Sequence, residues 1–139
     1  METLGLQAAQ HLVGKALEMA SANYARPICA AVVDAQGFLL AFARMDGAPL
    51  RSIAISQGKA YSAVRMGVNT DAFLARLRRE NIEARYFCDE GLTALPGGCV
   101  LNDSRGTMLG GIGISGLTSL EDQAIGEVVA QMVAKGDVG

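Results

Sequence analysis

Hydrophobic and polar positions follow two different periods along the chain, and the period predicts the type of each element. Over residues 4–22, apolar residues recur every three or four positions, which is typical of an amphipathic helix. Residues 28–34 form a nearly continuous apolar run, as expected for a strand that is covered on both faces. Residues 34–37 carry a glycine where a hairpin needs a left-handed residue, so residues 38–44 are predicted to return as a second strand.

The same patterns divide the rest of the chain. Helical spacing predicts a second helix over residues 52–66 and a third over residues 69–85. Three short strands are predicted after the third helix, over residues 92–95, 99–102 and 107–115. Thr118 and Glu121 match a capping box that opens a final helix. Because the strand connections are short, we expect one α+β domain over residues 1–139, with a five-stranded antiparallel sheet and the order α-β-β-α-α-β-β-β-α.

Charge and composition exclude several classes of protein. The 139 residues include 12 Lys and Arg against 14 Asp and Glu, which lacks the basic excess of a nucleic-acid-binding protein. No apolar run reaches the roughly 18 residues that cross a bilayer, and no signal-peptide pattern is present, so we expect a cytoplasmic protein without a membrane partner. The cysteines Cys29, Cys88 and Cys99 are odd in number and far apart, which fits a reducing compartment better than disulfides or a zinc site.

The last predicted strand has one face that is almost without side chains. Gly111, Gly113 and Ser115 alternate on that face, which indicates close approach of either a flat ligand or a tightly packed helix. With Gly116, the spacing matches a dinucleotide fingerprint, but no second parallel strand follows the final helix, which argues against that site. The helix N-terminus at Thr118 remains a candidate position for an anion or a propionate.

His11 is the single histidine of the chain. It points roughly 170° away from the apolar stripe of its predicted helix, so we expect it outside the core. There it is either a solvated surface residue or a metal ligand, such as a heme-iron ligand shared across a subunit contact. A single histidine also excludes multi-histidine metal sites.

The second predicted helix has a polar face that is a candidate pocket wall for an anionic group. Its members, together with the charged residues just before the helix, are Arg44, Asp46, Arg51, Ser52, Ser56 and Lys59. The alternative is purely structural, with Lys59 pairing with Asp34 or Asp46.

Several segments in the same order resemble the GlcG/HbpS-like family. They are residues 32–37, 42–48, 58–63, 96–98, 110–116 and 122–124. The resemblance implies a profilin-like sandwich, assembly into homo-oligomers and association with heme in several members. The family's glycine-rich loop is replaced at residues 81–91, and Leu117 stands where a further glycine is usual. A different ligand therefore stays open.

Two functional hypotheses follow from the residues and the resemblance. The first is a cytoplasmic, oligomeric heme- or tetrapyrrole-binding protein with an accessory or redox-sensing role and His11 as the candidate iron ligand. The second is an isomerase- or hydratase-like catabolic enzyme for a carboxylated or hydroxylated substrate, with Lys59 or Asp46 moving protons and Arg44 and Arg51 holding the anion. A third, an accessory protein without a ligand, stays open. The candidate ligand-binding residues are Arg44, Arg51, Ser52, Ser56, Lys59, Gly97, Gly98, Gly111, Gly113, Ser115, Gly116 and Thr118.

Overall fold

A computed structural model describes residues 3–137 as four α-helices and one four-stranded sheet. The elements in chain order are α1 (Leu6–Met19), β1 (Cys29–Asp34), β2 (Leu39–Arg44), α2 (Ser52–Met66), α3 (Thr70–Glu80), β3 (Gly98–Asn102), β4 (Met108–Ser115) and α4 (Ser119–Ala134). The strand order is β2-β1-β4-β3, and all neighbouring strands are antiparallel. The expected α+β class with an antiparallel sheet is confirmed.

The sheet lies between two layers of helices. Helices α1 and α4 cover one face, where Leu12, Ile112, Ile114 and Ile125 belong to the larger buried cluster. Helix α2 covers the other face, where a smaller cluster of buried residues contains Ala31, Val33, Ala60 and Val64. Since side chains alternate along a strand, Ile112 and Ile114 of β4 point toward α1 and α4, whereas Gly111 and Gly113 face α2.

Local side-chain chemistry explains where the predicted elements begin and end. The carboxylate of Asp34 accepts the N–H groups of Gln36 and Phe38 across the β1–β2 hairpin, as the turn residues predict. The capping box of α4 is confirmed, because Thr118 and Glu121 accept each other's backbone N–H groups. Helix α3 ends five residues earlier than predicted, at Glu80, because Asn81 adopts a left-handed conformation with φ +54°.

The prediction of five strands is wrong, because residues 92–95 do not join the sheet. Their backbone N–H groups are used locally instead. The N–H of Thr93 donates to Ser62 Oγ of α2 at 2.8 Å, and the N–H of Leu95 donates to Thr93 Oγ1. With these donors occupied, the segment runs over α2 as a connection, and the sheet has four strands.

The two edges of the sheet differ. At the β3 edge, the N–H of Gly98 donates to Thr70 Oγ1 and the N–H of Val100 donates to Asn69 Oδ1, both at 2.9 Å. These acceptors come from the start of α3, so side chains occupy outward-facing donors of this edge strand. Strand β2 pairs only with β1 among residues 3–137.

Candidate functional site

A small cavity lies where the first turns of α2 and α4 meet the end of β4. Its volume is about 130 Å³. The residues that line it are Arg51, Ser52, Ile55, Lys59, Leu95, Ser115, Gly116, Leu117, Ser119 and Asp122. Five of the predicted ligand-binding residues therefore meet in one place: Arg51, Ser52, Lys59, Ser115 and Gly116. Thr118 does not line the cavity, although the next residue, Ser119, does.

The glycine face of β4 brings α2 close enough to build this cavity. A Cβ atom at Gly111 would lie 2.8 Å from the carbonyl oxygen of Ala60, and one at Gly113 would overlap the carbonyl oxygen of Ser56. The α2 backbone thus covers these two glycines, so the structure agrees with tight helix packing, one of the two alternatives for this face. Because α2 lies so close, a side chain from α2 can reach the carbonyl groups of β4.

Lys59 makes that contact from inside the protein. Its Nζ donates to the carbonyl oxygen of Ile114 at 2.7 Å and to Asp122 Oδ2 at 3.1 Å, and both charged side chains are 3% exposed. Burial lowers the pKa of Lys59, although the neighbouring Asp122 carboxylate opposes this shift. Burial also raises the pKa of Asp122, against the opposing charge of Lys59. The structural hypothesis that Lys59 pairs with Asp34 or Asp46 is wrong, since its ion pair is with Asp122.

The remaining wall of the cavity combines hydroxyl groups with an apolar rim. The Ser115 hydroxyl donates to the Ser52 hydroxyl over 3.0 Å, and both residues are buried. Arg51 is exposed at the N-terminal end of α2 and forms no ion pair with residues 3–137. Ile55 and Leu95 add apolar surface.

Other predicted residues lie elsewhere or have local roles. Arg44 and Asp46 are exposed at the end of β2 and in the following turn, and neither is among the residues that line the cavity. The Ser56 hydroxyl donates to the carbonyl oxygen of Ile53 within α2. A Cβ at Gly97 would lie 2.8 Å from Lys59 Nζ, so this glycine leaves room for the ammonium group.

Gly98 and Asp122 complete the surroundings of Lys59. A Cβ at Gly98 would overlap the carbonyl oxygen of Lys59, so a glycine is needed for β3 to pack against α2. Asp122 was not predicted as a site residue. Asp122 lies in the first turn of α4, four residues after the capping Thr118, where the helix dipole favours an acidic residue, so its position in the sequence does not indicate that it is the partner of a buried lysine.

His11 occupies a half-buried position on α1. Its Nε2 atom is shielded from solvent and has no hydrogen-bond partner among residues 3–137. The expectation of a solvated histidine is therefore wrong for this nitrogen. Gly14, three residues later on the helix, leaves open space, since a Cβ there would meet no atom within 4 Å. None of the residues that line the cavity beside Lys59 comes from α1.

A second, more open groove of about 270 Å³ lies beside the β1–β2 hairpin. Tyr61 of α2 lines it together with Gly91, and the Tyr61 hydroxyl donates to Asp89 Oδ2 at 2.6 Å. This hydrogen bond, followed by one from the N–H of Gly91, lowers the pKa of Asp89. The loop of residues 81–91, which departs from the resembled family, therefore contributes Gly91 to this groove.

Residues 3–137 contain neither a membrane-spanning helix nor a cluster of metal-binding side chains. No helix there has the length and apolar character that crossing a bilayer requires. No three His, Cys, Asp or Glu side chains come together as a metal-binding group in that part of the chain.

Solved structures with the same fold include one protein crystallised with heme. A double mutant of HbpS from Streptomyces reticuli is 28% identical, with a TM-score of 0.84 over 96% of this chain and 88% of that chain. The PduOC:heme complex is 26% identical, with a TM-score of 0.82 over 93% of this chain and 94% of that chain. The Klebsiella pneumoniae protein ORFY is 24% identical with a TM-score of 0.84, over 96% of this chain and 92% of that chain, and supports the fold alone.

The family comparison covers most of the sequence. No functionally curated protein matches the chain. The model of one family, described as haem degrading protein HbpS-like, matches residues 4–131. The chain belongs to the HbpS-like family.

Proposed function

We propose that this protein binds heme or a related tetrapyrrole and that His11 supplies the iron ligand. The observation that carries the proposal is the shielded, unpartnered Nε2 of His11. A buried polar nitrogen without a partner is uncommon in folded proteins, because the lost hydration is normally replaced by a hydrogen bond or a metal bond. Membership of a family described as haem degrading, and similarity to a protein crystallised with heme, support the same ligand.

Two neighbours of His11 on α1 support this proposal. Gly14 lies beside His11 on the helix and presents no side chain, so a flat macrocycle meets no Cβ there. Lys15 is one turn from His11, 40% exposed, and currently paired with Glu18 at 3.5 Å, so it can turn to a propionate at little cost. The imidazole must rotate outward to reach iron, because its Nε2 is shielded from solvent in this conformation.

Heme, when bound, supplies the redox and oxygen chemistry of its iron, and the residues of this chain hold it in place. His11 would bind the metal through an imidazole nitrogen, while Lys15 would offer a counter-charge to a carboxylate of the macrocycle. A second copy of the chain, approaching the same helix face, would enclose the macrocycle from the other side. We therefore extend the proposal to a homo-oligomer with an accessory or redox-sensing role.

The cysteines support a reducing compartment such as the cytoplasm. All three are free thiols, with Cys29 and Cys99 buried and Cys88 exposed. Burial raises the pKa of Cys99 to about 12, so this thiol stays protonated and inert at neutral pH.

Hemin titration of the purified protein tests the proposal. We expect a Soret band whose absorbance saturates at one hemin per chain or per chain pair. In His11→Ala this band should be absent or shifted in wavelength. The matched control is Gln10→Ala, an exposed position beside His11 on the same helix. Size-exclusion chromatography with light scattering reports the number of chains per complex. The absence of a saturable spectral change in the unmodified protein would overturn heme binding, and equal spectra for His11→Ala and Gln10→Ala would overturn the assignment of the ligand.

A further inference from the structure

We propose that the cavity beside Lys59 is a binding site for a small organic carboxylate with a short apolar tail. The site lies between α2, β4 and α4, and none of its lining residues comes from α1. The proposal is therefore independent of heme binding. It also does not require that the protein catalyse a reaction.

The charges that line the cavity favour an anion. Lys59 and Arg51 carry two positive charges, and Asp122 carries one negative charge, which leaves one positive charge in excess. Both oxygens of Asp122 are already engaged, since Oδ2 accepts from Lys59 and Oδ1 accepts from the N–H of Leu117 at 3.1 Å. Both carboxylate oxygens of Asp122 therefore accept hydrogen bonds from the protein itself, and Asp122 forms no ion pair with Arg51.

Hydrogen-bond donors remain available in the same place. An ammonium group has three N–H donors, and Lys59 uses two of them, on Ile114 and Asp122. Arg51 has five donors and makes no ion pair with the described residues 3–137. A buried ammonium group inside the cavity and an exposed guanidinium at its entrance suit a carboxylate that accepts hydrogen bonds from both.

The helix geometry adds to this preference. Ser52 and Ser119 are the first residues of α2 and α4, and both line the cavity, so two helix N-termini meet there. Each N-terminus carries partial positive charge from the dipole of its helix, although the N–H groups of Ser52 and Ile53 already donate to the carbonyl oxygens of Pro49 and Leu50. The first turn of α2 contains no acidic residue that would neutralise the partial positive charge of this N-terminus.

Size and lining restrict what can follow the carboxylate. The volume of about 130 Å³ admits a molecule of a few carbon atoms and excludes a nucleotide or a macrocycle. Ile55, Leu95 and Leu117 supply apolar contacts, and Leu95 is 46% exposed at the rim. A short aliphatic tail would cover these side chains, whereas inorganic phosphate would leave them in water.

A titration with butyrate, followed by two-dimensional NMR of the ¹⁵N-labelled protein, tests the site. We expect saturable shifts of the Ser52, Ser115 and Gly116 amides, with a Kd on the order of 1 mM for so small a ligand. Butyramide, which has the same shape without the charge, should cause no saturable shift. Arg51→Gln should weaken butyrate about tenfold, the effect of removing one charged hydrogen bond. The matched control is Arg105→Gln, an exposed arginine in the β3–β4 hairpin, which should leave the Kd unchanged.

Three outcomes would overturn the proposal. They are the absence of shifts at butyrate concentrations about tenfold above 1 mM, equal shifts with butyramide, and equal Kd values for Arg51→Gln and Arg105→Gln. A parallel titration on hemin-treated protein separates this site from the heme proposal. We expect the same butyrate Kd with and without hemin, and loss of butyrate binding in the presence of hemin would refute the independence of the two sites.

Discussion

Replacing Lys59 by methionine removes one half of a buried ion pair and nearly preserves the volume of the side chain. The change leaves the Asp122 carboxylate 3% exposed and without its cation, and it also leaves the carbonyl oxygen of Ile114 without the Lys59 donor. Breaking a buried pair from one side costs about 3–5 kcal/mol, because an uncompensated charge stays in the interior. Since a domain of this size is stable by about 5–15 kcal/mol, we expect a large loss that still permits folding.

Urea unfolding followed by far-UV circular dichroism measures this loss, as the chain contains no tryptophan. The matched control is the double variant Lys59→Met with Asp122→Asn, in which the asparagine oxygen can still accept the N–H of Leu117. We expect this neutral pair to recover more than half of the lost stability. A Lys59→Met protein within about 1 kcal/mol of the unmodified protein would refute the reasoning, as would a double variant less stable than the single one.

The same variant has a pH dependence with a definite sign. Burial raises the pKa of Asp122 above its ordinary 3.8, and removal of the opposing Lys59 charge raises it further. Over the interval between 3.8 and the raised value, the folded state binds more protons than the unfolded state, so stability falls as the pH rises. The deficit of Lys59→Met should therefore be larger at about pH 8 than at about pH 5. A deficit that is constant or shrinks with rising pH would show that the carboxylate is not the source of the loss.

Three further results are expected. In urea unfolding, Gly113→Ala should lower the free energy of unfolding by about 3 kcal/mol, because its Cβ would overlap the α2 backbone. Gly14→Ala, where the Cβ meets no atom, should raise the free energy of unfolding by about 0.5–1 kcal/mol. Similar stabilities of the two variants would contradict the packing described for β4. Tyr61→Phe should lower stability at about pH 7, because the hydrogen bond that lowers the pKa of Asp89 contributes fully above the unfolded pKa. The effect should shrink as the pH falls through the lowered pKa of Asp89, and an effect that does not change with acidification would argue against this bond. Iodoacetamide should modify Cys88 alone in the native protein and all three thiols in denaturant, as read by mass spectrometry, and modification of a buried thiol under native conditions would contradict the described burial.

The sequence predicts those parts of the fold that local chemistry decides. The hairpin at Asp34, the capping box at Thr118 and the span of α2 all depend on neighbouring residues, and each is present as expected. Residues 92–95 have the composition of a strand, but strand formation requires a free partner in the sheet. The hydroxyl of Ser62, distant in sequence, occupies the N–H of Thr93, and no local pattern reports that contact.

The candidate site was predictable to a similar extent. Helical spacing places Ser52 and Lys59 on one face of α2, and strand alternation places Gly113 and Ser115 on one face of β4. The periodicity of the sequence therefore predicts the α2 side and the β4 side of the site. The partner of Lys59 could not be proposed in this way, because Asp122 approaches through the crossing of α4 over the end of β4. Burial of a lysine depends on such tertiary contacts, which the one-dimensional pattern does not contain.

The unequal edges of the sheet determine how copies of this protein can join strand to strand. The side chains of Asn69 and Thr70 accept outward N–H groups of β3, so these donors are not available to a strand of another copy. Among residues 3–137, the edge strand β2 remains available for pairing. When two copies pair through β2, each occupies the available sheet edge of the other. An assembly formed by edge pairing of these described strands would therefore stop at a pair and could not grow into a fibre.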